Sequence, residues 1–98
     1  MHGISRVTDF EPVGPYRLRV YFDDDTQQVI DFLPLLKGTV FGPLRDAELF
    51  SQVTVDPEVH TLVWPNGADF DPATLHDWPH HIAALTERAR QWELSAVR

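Results

Sequence analysis

The sequence predicts an α+β fold, a small antiparallel sheet with short helices and a C-terminal amphipathic helix. Three observations carry that expectation. Residues Tyr16 to Phe22 alternate apolar and polar side chains, the period of a half-buried strand. The run Trp64-Pro65-Asn66-Gly67, followed by Asp71-Pro72, spells a tight turn and then a capped helix start. Ile82, Leu85, Ala89, Trp92 and Ala96 recur at three-four spacing, the apolar stripe of a helix that lies on a core. A chain of 98 residues has room for one small core with little stability to spare.

Taken in order, a first strand is expected around Ile4 to Asp9, ended by Pro12, Gly14 and Pro15. Tyr16, Leu18, Val20 and Phe22 then share one face of a second strand, with Arg17, Arg19 and Tyr21 on the other. The polar loop Asp23 to Thr26 joins it to Gln27 to Phe32, where Ile30 and Phe32 face the core, so the two runs read as a hairpin. Leu33 to Gly38 makes at most one turn of helix. Pro43 to Phe50 makes a second, with Leu44, Ala47 and Phe50 along one stripe. Gln52 to Val55 and Thr61 to Trp64 pair across the turn residues Asp56-Pro57-Glu58-Val59.

The turn that follows is expected to place both Asn66 and Gly67 at positive φ. Asp71 caps the next helix, Pro72 takes its first position, and Phe70 and Leu75 form a hydrophobic staple across its start. That helix runs from Pro72 to Trp78. The domain is therefore expected over residues 1–78, with a helical extension over 79–98 whose stripe packs back onto the body.

Net charge is −7, and residues 1–78 hold 13 acidic against 5 basic side chains. An acidic body repels phosphate backbones and attracts a basic protein surface, which disfavours direct nucleic-acid binding. The chain has no cysteine, so it offers neither disulfides nor thiolate metal ligands. Met1-His2-Gly3-Ile4 lacks the charged and apolar runs of a signal peptide, and no apolar run is long enough for a membrane span. A cytoplasmic location is expected.

No catalytic, metal or cofactor site is expected. Asp23-Asp24-Asp25 lacks the ligand spacing and turn glycine of a calcium loop. His76, His80, His81 and Asp77 cluster in sequence, but Pro79 interrupts the helical face a zinc site would need. Ser5, Ser51 and Ser95 occupy no nucleophile elbow. Asp69 and Asp71 flank Phe70 as an acid/base pair would, yet turn formation and helix capping account for both. Trp64 and Trp78 are expected in the core, leaving Trp92 as the aromatic available for contact.

Tyr16-x-Leu18-x-Val20-x-Phe22-x-Asp24, Phe41-x-x-Leu44-x-Asp46, Phe50-x-x-Val53 and Trp64-Pro65-Asn66-Gly67-x-Asp69-Phe70-x-Pro72-x-x-Leu75 together resemble the bacterial domain of unknown function 2442 over residues 4–78. Family members commonly carry glycine after the hairpin aspartate, where this chain has Asp25 or Thr26. The resemblance implies an α+β fold without an established catalytic site. Some relatives add a helix-turn-helix domain, for which the last twenty or so residues here are too few. Others resemble one half of a toxin–antitoxin-type gene pair, encoded beside a small protein of the unknown-function family 4160.

The expected function is thus a non-catalytic protein-interaction module, antitoxin-like, with a small basic protein as partner. Asp23, Asp24 and Asp25 would attract that partner and Trp92 would anchor it. Trp64, Asn66, Gly67, Asp69 and Asp71 would serve structure. Self-association as a homodimer stays open, and the alternatives are a small ligand-binding or regulatory domain and, behind it, an enzyme.

Overall fold

A computed structural model describes residues 5–96, with side chains as far as Trp92. Strands β1 (Val7–Gly14), β2 (Arg17–Phe22) and β3 (Gln27–Asp31) form a three-stranded antiparallel meander with β2 in the middle. A 3₁₀ turn (Leu33–Leu35), helix α1 (Gly38–Phe41), a second 3₁₀ turn (Gly42–Arg45) and helix α2 (Ala47–Phe50) follow. Strands β4 (Thr54–Val55) and β5 (Leu62–Val63) form a separate antiparallel pair. Helices α3 (Pro72–His76) and α4 (Trp78–Ala96) complete the chain. The architecture is α+β, as the sequence predicts.

The first strand departs from expectation. Its predicted start at Ile4 lies outside the described residues, and it continues through Pro12 to Gly14 instead of stopping before them. Proline is tolerated because β1 is an edge strand, where a missing N–H breaks no ladder. The ladder with β2 shifts register between Val7 and Asp9 and again between Pro12 and Gly14.

The expected stripe of Leu44, Ala47 and Phe50 is also broken. Asp46 adopts an extended conformation and its carboxylate accepts the Glu48 N–H, so it ends one turn and caps the next. Leu44 and Phe50 are buried, while Ala47 faces solvent.

The two β-hairpin tips at Asp23–Asp25 and Pro65–Gly67 share one design. Phe22 N–H donates to Thr26 O at 3.0 Å and Asp25 N–H to Phe22 O at 3.1 Å. Likewise, Trp64 N–H donates to Ala68 O at 2.9 Å and Gly67 N–H to Trp64 O at 3.0 Å. The last loop residue is left-handed in both, Asp25 at φ 68° and Gly67 at φ 90°. This is a three-residue loop with a bulge, not a two-residue turn. Asn66 is accordingly not at positive φ, because Pro65 fixes the first corner of an ordinary turn and only Gly67 must cross to the left-handed side.

Phe32 is fully buried at the centre of the core. Its ring lies 5.4 to 5.9 Å from those of Phe50, Trp64, Phe70 and Trp78. Trp64 and Trp78 are both buried, as expected. Asp71 accepts the Ala73 N–H at 3.1 Å with Pro72 in the first turn, and Phe70 and Leu75 are buried on either side of this start. The helix ends at His76, and Pro79 lies in the first turn of α4, where a proline costs no hydrogen bond. Val7 N–H donates to His60 O at 2.9 Å, joining the two sheets.

Candidate functional site

Local sequence explains how the Asn66-Gly67 loop comes to form one wall of a groove. Asn66 uses its side chain twice: Oδ1 accepts the Ala68 N–H at 3.1 Å, holding the loop, and Nδ2 donates to Val40 O at 2.9 Å, tying the loop to α1. Asp69 then bridges back to Val63. The opposite wall is Lys37 to Phe41, and the far end is Trp92. The groove, open to solvent along one side, has a volume of about 520 Å³, within the range of natural binding clefts.

Aromatic side chains form its floor. The Trp92 and Phe41 rings stack with centroids 5.5 Å apart and an interplanar angle of 21°, and Phe41 meets Phe70 at 4.9 Å. Gly38 is required where α4 crosses α1, since a Cβ there would stand 2.8 Å from Trp92 Cβ. Val40 remains 48% exposed on the rim, and Lys37 and Asp69 place charge beside the apolar floor. Trp92 is therefore half-buried against the body, and Ile82, Leu85 and Ala89 of the same stripe also face the core. The side chain of Ala96 lies outside the described residues.

Sequence reasoning did not foresee a second constellation, centred on His76. Its Nε2 lies 2.7 Å from Asp24 Oδ2 and 3.2 Å from Thr26 Oγ1, and its Nδ1 lies 3.1 Å from Asp77 Oδ1. The ring packs edge-on against Phe22 with centroids 5.0 Å apart, and Gln28 Nε2 donates to His76 O at 2.9 Å. Hydrogen bonds to Asp24 first, and to Asp77 second, raise the His76 pKa above its ordinary 6.5. The Thr26 hydroxyl, then His76, hold the Asp24 carboxyl well below its ordinary 3.8, at about 2.

The spacing of Thr26, His76 and Asp77 superficially matches a nucleophile, base and orienting acid. Here the Thr26 hydroxyl donates to Asp24 and so directs its proton away from His76, while Nε2 and Nδ1 each face a carboxylate, which favours the protonated ring. The constellation works as an ion-paired clasp between the β2–β3 tip and the α3–α4 junction. No local sequence signal announces it, because Asp24 and His76 are 52 positions apart.

The remaining predicted residues are spread over the molecule. Asp23 accepts from the Arg6 N–H at a long 3.4 Å, and Asp25 is exposed. Trp64 lies in the core, where its Nε1 donates to Phe50 O at 2.9 Å. Asp71 caps α3 and Asp69 lines the groove. His80 and His81 are exposed on α4, and among the described residues no group of three or more His, Cys, Asp or Glu side chains is arranged to hold a metal ion. No described helix is long and apolar enough to cross a membrane.

The groove thus joins the most distinctive sequence motif to the C-terminal helix. No curated protein and no solved structure matches the chain. Residues 7–81 match the family model described as protein of unknown function (DUF2442), and the chain belongs to that family.

Proposed function

We propose that the protein is a non-catalytic interaction module that receives a small basic protein partner, as the antitoxin-like half of a bacterial two-gene pair. The observation that carries this reading is the groove between Gly38–Phe41 and Gly67–Asp69, where an aromatic floor lies beside the Asp69 carboxylate. An apolar side chain fits the floor, and a neighbouring cation on the partner meets Asp69. The acidic body, 13 acidic against 5 basic side chains over residues 1–78, supplies the long-range attraction that steers such a partner. The partner this reading names is a small protein of the unknown-function family 4160.

The experiment is to express the chain with the product of its neighbouring gene and measure binding. Asp23→Asn with Asp25→Asn leaves the Asp24 clasp intact, and should slow association and weaken its salt dependence. Val40→Glu should mainly speed dissociation by burying a charge on the groove rim. A neighbouring product that neither co-purifies nor binds removes the reading, as does binding indifferent to both changes.

A second reading, a small ligand-binding domain, draws on the groove's volume of about 520 Å³. It predicts that Val40→Glu alters the ligand-induced rise in unfolding temperature, with no protein partner required.

A further inference from the structure

The two free edges of the three-stranded sheet are built differently. β1 carries Pro12 and two register shifts, and its Val7 N–H is taken by His60 O. Such irregularity blunts an edge against other strands. β3 has none of these devices: it pairs with β2 in unbroken register from Tyr21↔Gln27 to Arg17↔Asp31 and contains no proline and no lysine. Phe22 N–H to Thr26 O and Phe32 N–H to Tyr16 O set the phase of the ladder. Residues 26, 28, 30 and 32 therefore bond inward to β2, and Gln27, Val29 and Asp31 turn their N–H and C=O groups to the open edge. At its centre Val29 is 53% exposed.

We propose that this edge binds a second copy of the chain, two β3 strands pairing antiparallel about a two-fold axis at Val29 to make one six-stranded sheet. The sequence of the edge selects that occupant. In this register Val29 meets its own copy, and each Gln27 stands opposite the partner's Asp31. The Gln27 amide can donate to that carboxylate, whose charge Arg17 already offsets at 3.8 Å within its own copy. No like charges face each other across the pair. The antiparallel arrangement also sends the two Asp23–Asp25 tips to opposite ends of the joint, so chains of net charge −7 meet along a weakly charged edge.

Sedimentation velocity of the full chain over a range of concentration and salt tests this. A monomer–dimer equilibrium should appear, tightening as added salt screens the repulsion between two acidic chains. Binding of a basic partner at the groove would weaken with salt, so failure of either idea is distinguishable from failure of the other. Val29→Lys, on the exposed face, should abolish the dimer while leaving circular dichroism unchanged and the unfolding midpoint equal to that of the parent chain diluted to monomer. Gln27→Glu should weaken association about tenfold, by setting a second carboxylate opposite each Asp31. A chain that stays monomeric at about 1 mM overturns the proposal, even if another protein's strand takes the edge. So does a dimer that survives Val29→Lys.

Discussion

Asp25 and Gly67 occupy the same left-handed place in two loops of one design, yet only one of them is glycine. A side chain at that place crowds its own backbone, and aspartate tolerates the crowding without escaping it. Asp25→Gly should therefore raise stability by about 0.5–1 kcal/mol, the relief exceeding the entropy that glycine adds to the unfolded chain. Gly67→Ala should cost about 1–2 kcal/mol from the backbone alone, since nothing lies within 4 Å of an added Cβ. Urea unfolding of both variants checks the pair, and equal shifts of the same sign would contradict the loop assignment. Trp64→Ala should cost about 3–5 kcal/mol, because it empties a core site and leaves Phe50 O without the indole donor found at 2.9 Å. A loss under about 1 kcal/mol would be the size of a surface change.

At the scale of elements, the joint between α1 and α4 rests on Gly38. Its φ of 81° excludes most side chains, and a Cβ would stand 2.8 Å from Trp92 Cβ. Gly38→Ala should destabilise the protein by about 2 kcal/mol or more, overpacking and backbone strain adding together. Amide exchange over 82–92 should rise with it, and adding Trp92→Ala should not rescue the fold, since the offending atom is a Cβ that alanine keeps. Strands β2 and β3, the cap at Asp71 and the stripe of α4 were legible in the sequence because each is dictated by residues close together in the chain. Helix α1 was not, because Gly38-Thr39-Val40-Phe41 has poor helix propensity and is held by packing against α4. Pro12 was misleading for a related reason: whether a proline ends a strand depends on whether that strand is an edge, which only the assembled sheet decides.

At the scale of the whole molecule, the Asp24–His76 clasp ties the β2–β3 hairpin to the C-terminal helices and makes stability depend on pH. The His76 pKa is higher in the fold than its ordinary 6.5, so its contribution is complete below pH 6.5 and is lost as pH rises through the folded value. Asp24 acts at the other end: its contribution is present above 3.8 and is lost as pH falls toward about 2. Urea midpoints measured across this range should decline on the alkaline side in the parent chain and stay level there in His76→Gln; the same decline in both would assign it elsewhere. The groove was half legible. The motif around Asn66 and the Trp92 stripe were both evident as sequence, but their meeting depends on the Asn66–Val40 hydrogen bond and the Phe41–Trp92 stack, contacts between segments far apart in the chain.

Among the described residues every pair of strands joins neighbours in sequence, β1 to β2, β2 to β3 and β4 to β5. The consequence is kinetic. Each hairpin can close by itself in about 1–10 μs, without waiting for a distant strand, and the slower event is their encounter around Phe32. Phe32→Leu should then slow refolding in stopped-flow measurements, as changes in a folding nucleus do. Trp92→Ala, fourteen residues along α4 from the Trp78 that meets Phe32, should leave refolding nearly unchanged and speed unfolding instead.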